Sequence, residues 1–411
     1  APDRAARRAV KAAWAGRRRA VLVAALLACF GILAYLKYWN VLLYEVGLAA
    51  SPTSLGLLLP LGISFYTFQS VSYVVDAYNG RFEPQGNFLK HLLFVSWFPQ
   101  VIQGPINRYA QLSPQLLEYH EARSVRYDRA ILRFCYGALK KIAIANMLVG
   151  VIEAIFSNVT TGIPGSVVVF GILLYSAQQY GDFSGGIDMV EAASSLFGVD
   201  MAENFRRPYF SVSLADFWRR WHISLTRWFT DYVYIPLGGS RRGTARLAVN
   251  TMVVFLLSGL WHGAALHFVV WGGVHGALLL LEKALPPCSG KHKARTWTAV
   301  CLRHAYTFSL VCIAWDFFRA ASVSDALLLL SRLPVDWSLS TLHTTLLSIG
   351  IQPVAELVLG ALCLHLLPET SSAAPSPRSV LAFCLLALTV VAAWFSTLHT
   401  GTTNAFIYFQ F

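Results

Sequence analysis

His222, His262, His267 and His275 fall within a single stretch, 182–275, that mixes apolar with polar and basic residues. An imidazole titrates near neutrality, so a neutral histidine in a dry cavity suits general-base work on a hydroxyl. His262 closes an apolar run in LSGLWHGA (257–264), beside Trp261 and between Gly259 and Gly263. Those glycines allow close approach of a backbone or a ligand. A satisfied core histidine is the alternative; the glycines and Trp261 favour a ligand-facing cavity. His275 follows His262 by 13 residues and His267 follows by five, which puts both off the His262 face of a single helix. No HExxH or cysteine–histidine cluster occurs, so a metal site is not expected.

His222 lies in DFWRRWHISLTRWFTDYVYIP (216–236). Phe217, Trp221, Leu225, Trp228, Phe229 and Tyr232 recur at spacings of three and four, which predicts one amphipathic helix. Such a helix lies in a membrane interface, its aromatic face down and its arginines among headgroups. That arrangement accounts for the tryptophans and arginines. His222 sits about 100° around from Trp221 and is free to face an interior cavity. Arg219 and Arg220 suit the phosphates of a ligand or, equally, a role in setting topology. In GDFSGGID (181–188), Ser184 lacks the GxSxG spacing of a nucleophile elbow. Asp182, Ser184 and Asp188 are therefore expected to cap helices and line a polar pocket. QGPINRY (103–109), which begins at Gln103, marks a turn at the end of a span, either a plain loop or part of a substrate path.

The elements that position these residues must be membrane helices. The chain has 411 residues, 56% of them apolar and only 13% charged. This composition excludes a soluble enzyme, a disordered chain and a disulfide scaffold. A span needs about 20 mostly apolar residues. Candidate runs are 21–39, 89–102, around 147, 167–178, 247–260, 265–281, 296–318, 345–367 and 380–395, with 55–75 interrupted by Pro60 and Gly62. About nine to eleven membrane helices are expected in one domain, an all-α polytopic protein. The run from 21 lacks a cleavage site and is not expected to be a signal peptide. The seven cysteines form no CxxC pair and read as small buried hydrophobes; Cys288 is a possible acylation site at a membrane edge. The net charge of +12 concentrates in residues 1–19 and 203–246. Basic blocks beside apolar runs mark cytoplasmic loops and attract membrane lipids. No aromatic-interleaved basic sheet accompanies them, so nucleic acid is not an expected partner.

Several strings carry a resemblance: LPLGISFYTFQSVSYVVDAY (59–78), FPQVIQGPINRY (98–109), DFSGGIDM (182–189), the RRWH block within 204–241, the WHGA block within 255–276, and FIYFQF (406–411). Together they resemble the membrane-bound O-acyltransferase family, most closely its bacterial branch of alginate and cell-wall polysaccharide O-acetyltransferases. The D-alanyl-lipoteichoic acid branch is similar but differs after RRWH. The resemblance implies a ring of tilted helices around a central tunnel in a bacterial cell membrane. It implies His262 as general base on an acceptor hydroxyl. His222 matches a second polar position where other members carry Asn or Asp, and would orient the acyl donor or polarise its carbonyl. Trp261, Asp182, Ser184, His275, Gln103, Arg219 and Arg220 would line the substrate path. The donor would be a thioester, acetyl-CoA, with no bound cofactor. The acceptor would be a polysaccharide, reached through an extracellular partner of the SGNH-hydrolase type. Relatives carry further helices before the segment matching Val21, and these are expected to be missing here. Relatives also often hold an aromatic where Gly186 stands. A transporter or flippase for a lipid-linked sugar is the alternative from another class, and a scaffold for polysaccharide export a third.

Overall fold

The computed structural model describes residues 13–45, 47–48, 59–284 and 296–349, with Leu388. The basic residues of 1–12, Cys288, the loop 286–295, the 380–395 run apart from Leu388, most of the 345–367 run and the closing 406–411 lie outside them. The described residues are helical, with no strand among them. Apolar runs of this length must satisfy their backbone groups internally, which a helix does.

The chain divides into two compact units. The first contains α1 (Ala15–Glu45), α2 (Ile63–Tyr78), α3 (Phe88–Val95) and α4 (Tyr109–Leu117). The run at 89–102, expected to span, forms only the eight residues of α3 and a short 3-10 turn at Phe98–Gln100. Eight helical residues cover about 12 Å, far less than a bilayer. Pro99 lies in that turn, where a continuing helix would need its missing N–H. The 55–75 run likewise becomes helical only from Ile63, after Pro60 and Gly62.

The second unit contains α5 (Tyr127–Leu139), a π-helical turn (Lys140–Asn146), α6 (Met147–Ser157), α7 (Gly165–Ser195), α8 (Leu214–Arg220), α9 (Ile223–Phe229), α10 (Thr244–His262), α11 (Leu266–Ala284), α12 (Trp297–Arg319), α13 (Val323–Arg332) and α14 (Leu339–Ile349). Three described helices are long and apolar enough to cross a membrane: Ala15–Tyr44, Thr244–His262 and Trp297–Arg319. The core of the unit packs α7, α8, α11 and α12 around Tyr175, Phe217, Trp221, Trp271 and Trp315.

α10 and α11 pack closely because two glycines remove side chains from the seam. A β-carbon on Gly259 would lie 2.2 Å from the carbonyl oxygen of Phe268, and one on Gly272 would lie 2.1 Å from that of Phe255. The neighbour that Gly259 admits is therefore a helix backbone.

Candidate active site

The 216–236 stretch is not one helix. α8 ends at Arg220 and α9 begins at Ile223. Between them Trp221 is extended and His222 adopts the left-handed conformation, with φ of 45°. A non-glycine residue in this region costs of order 1–3 kcal/mol and persists only where its surroundings impose it. The surroundings here are visible. The Ile223 N–H donates to the Asn204 carbonyl at 3.0 Å, and the Arg206 N–H donates to the Arg220 carbonyl at 2.9 Å. The segment 204–206 thus holds the break open from the side. A period of 3.6 shows which face is apolar, but not whether the backbone continues through it.

The aromatic face is also placed otherwise than expected. Phe217, Trp221, Leu225, Trp228 and Phe229 are all buried in protein. Trp221 meets Phe205, Phe217 and Trp315 with ring centroids 5.0–5.6 Å apart. These rings serve as core, while Tyr232 at the end of the face is half-buried.

His222 is 1% exposed. Its ring meets Phe183 of α7 edge-on at 4.8 Å and Trp261 of α10 at 6.1 Å. Burial pushes its imidazole down to about 3, so it is neutral at pH 7. Its Nδ1 lies 3.2 Å from Oδ1 of Asn204. His262, the last residue of α10, packs against the same Trp261 at 5.0 Å, against Trp271 at 5.2 Å and against Phe318 at 5.1 Å. Two buried histidines from separate elements thus share one indole ring.

His275 does not sit on the helix of His262. It belongs to α11, so a phase argument along one helix does not relate the two. Trp271 stands between them, 5.2 Å from His262 and 5.1 Å from His275. His275 is fully buried among Phe217, Trp218, Phe255 and Trp315, and neither ring nitrogen has a hydrogen-bond partner among the described residues. His267 joins α12, its Nδ1 lying 3.1 Å from the Phe317 carbonyl.

Asp182, Ser184 and Asp188 cap nothing. They lie inside α7, an unbroken helix of 31 residues. Asp182 pairs with Lys141, and Asp188 with both Lys140 at 2.5 Å and Arg133 at 3.1 Å. Glu191 completes the net on Arg133. Lys140 also donates to Ser184 Oγ at 3.2 Å. The polar face of α7 is therefore an ion-pair seam against α5 and the π-helical turn. Lys140 and Lys141 were missed from sequence. Two adjacent lysines inside the apolar run GALKKIAIANM (137–147) are the signal that could have found them, since charges at membrane depth take partners.

Gln103 does reach this helix: its Nε2 donates to the Phe183 carbonyl at 3.4 Å. Through Phe183 it adjoins His222. Arg219 and Arg220 both pair with Asp216, at 3.3 and 3.1 Å. Asp216 is fixed in turn by a cap, the Ser213 hydroxyl accepting its N–H at 3.0 Å. Burial, which raises the Asp216 carboxyl, is outweighed by hydrogen bonding to Arg220, and the group is held below its usual range. Arg219 is largely exposed, so its guanidinium remains open to an anionic group.

The stretch that carries these histidines also matches a described family. The family model for membrane-bound O-acyltransferases covers residues 85–315, and the chain belongs to that family. It is 36% identical to "Probable alginate O-acetylase AlgI" of Pseudomonas putida, across 92% of this chain and 82% of that protein. It is 39% identical to the Pseudomonas aeruginosa protein of the same name, across 75% of this chain but only 58% of that protein. It is 33% identical to a peptidoglycan O-acetyltransferase of Helicobacter pylori, across 75% and 64%.

Proposed function

We propose that this chain transfers an acetyl group from a thioester donor, acetyl-CoA, to a hydroxyl destined for a cell-surface polysaccharide, from the inner membrane of a bacterium. The observation that carries it is the placing of His262 and His222 against Trp261, in a setting of Trp271, Phe318 and Phe183 that excludes water. His262 takes the proton of the acceptor hydroxyl as its oxygen attacks the thioester carbonyl carbon. The carbon–sulfur bond then breaks, and the thiolate leaves and takes up the proton. Holding both reactants at one dry point carries much of the rate. A tunnel brings the cytoplasmic donor and the outer acceptor to His262, and Arg219 and Arg220 receive the donor's phosphates in exchange for Asp216. The polysaccharide acceptor follows the named activities of the Pseudomonas and Helicobacter relatives. Acetyl transfer outside the membrane passes through a partner of the SGNH-hydrolase type.

The test is release of free CoA from labelled acetyl-CoA by purified protein. His262→Ala is expected to abolish release while leaving the unfolding temperature within a few degrees of wild type. Full turnover in His262→Ala would remove the assignment.

A further inference from the structure

The side chain of Asn204 is in hydrogen-bond contact with the His222 ring. It was not legible as functional in the sequence. Its Oδ1 accepts the backbone N–H of Ser224 at 3.1 Å and the Ser224 hydroxyl at 2.8 Å. A backbone N–H only donates, so the atom it meets is the amide oxygen, and the amide's orientation is fixed. That oxygen lies 3.2 Å from His222 Nδ1. Two lone pairs facing each other at that distance would repel, so Nδ1 carries the proton. In a neutral imidazole the other nitrogen, Nε2, is then an acceptor.

A second observation supports a positioning role. Asn204 is 1% exposed, and its Nδ2 has no hydrogen-bond partner among the described residues. A buried donor left unmet is destabilising. The side chain bears that cost while its oxygen stays on His222 and Ser224.

We propose that Asn204 is a positioning residue that fixes His222 in the Nδ1–H tautomer, so that Nε2 accepts a hydrogen bond from the substrate hydroxyl and does not donate one to the thioester carbonyl. The substrate part rests on the acyl-transfer reading above; the tautomer does not. Of the two roles that family resemblance implies for His222, orienting the acyl donor or polarising its carbonyl, the second requires a proton on Nε2. The deep burial of the ring is consistent with an acceptor: an imidazole this hard to charge receives a hydrogen bond without keeping the proton. Its αL backbone aims the ring from a fixed point, and Phe183 and Trp261 flank it. His222 and His262 would then meet the same hydroxyl, one orienting it and the other removing its proton.

The experiment is nitrogen-15 magnetic resonance of the full chain, labelled at histidine, in lipid vesicles at neutral pH. The His222 signals are assigned by their loss in His222→Gln. Nδ1 protonated and Nε2 bare is the expected result. In Asn204→Leu the proton is expected to move to Nε2, with kcat for acetyl-CoA turnover falling by about 100-fold or more and KM little changed. A wild-type ring protonated at Nε2 overturns the proposal, and so does an Asn204→Leu protein that keeps wild-type kcat. If that variant does not fold, the wild-type spectrum decides alone. Absence of acetyl-CoA turnover in the wild type would defeat the acyl-transfer reading and leave the tautomer result standing.

Discussion

The side-chain amide of Gln103 occupies the space that a β-carbon on Gly186 would need. Its nitrogen lies 2.6 Å from that point and its oxygen 2.9 Å. The two residues are 83 positions apart and fit as one unit, glycine on α7 and amide above it. Gly186→Ala must therefore displace Gln103, which breaks the hydrogen bond that its Nε2 donates to the Phe183 carbonyl and loosens the ring that packs on His222. Overpacking of this kind costs about 1–3 kcal/mol. Turnover is expected to fall in Gly186→Ala and to recover partly in the double variant Gly186→Ala/Gln103→Ala. A double variant no better than the single one would show that Gln103 is not what the methyl group strikes.

The seam between the π-helical turn and α7 gives a second expectation. Lys141→Met removes the lysine that pairs with the buried Asp182 carboxylate. Breaking one partner of a buried pair costs roughly 3–5 kcal/mol, whereas replacing both by apolar residues is often near neutral. Unfolding temperatures in detergent should drop strongly for Lys141→Met and return most of the way for Lys141→Met/Asp182→Leu. Equal losses in the two would mean that the pair is not a self-contained unit.

A third expectation concerns the α10–α11 seam. Gly272→Ala places a methyl group against the Phe255 carbonyl, and backbone does not yield as a side chain does. The helices must separate, and His262 at the end of α10 moves with them. Both thermal stability and turnover are expected to fall in Gly272→Ala, with Gly273→Ala, whose β-carbon meets only the Leu256 side chain at 3.6 Å, as the tolerated comparison. Wild-type stability in Gly272→Ala would show that the seam has slack.

Burial of His222 has a consequence for acid stability. Its usual value of 6.5 falls to about 3 in the folded protein. Between those two values the unfolded chain binds a proton that the folded chain does not, so stability falls as pH drops through that window. The slope for one proton is about 1.4 kcal/mol per pH unit. Denaturation measured at several pH values from 6.5 to 4.5 should be less steep in His222→Gln by that one proton. An unchanged slope would mean that His222 is already charged when folded.

Composition and apolar runs were enough to read a helical membrane protein, and local strings were enough to single out His222 and His262 as candidates. Those features are local: a span is a run of neighbours, and WHGA lies within four residues. The backbone break at Trp221 and His222 was hidden because the apolar period persists through it. The pairs Lys141–Asp182 and Lys140–Asp188 were hidden because sequence separates them by 41 and 48 residues. Asn204 was hidden for a related reason: an asparagine 18 residues before a histidine looks like a loop residue until the chain turns back. The 89–102 run read as a span because hydropathy counts apolar residues and takes no account of the turn at Pro99.

The left-handed backbone at His222 bears on which residues this position can hold. A β-branched or bulky side chain at φ of 45° is strained, while Asn, Asp, His and glycine enter that region with least difficulty. Asn and Asp are also the residues that relatives are expected to carry at the matching position. A substitution at this site meets the backbone's demand before it meets any chemical one. A mutational library scored for folding alone should already return that short alphabet, before any substrate is added.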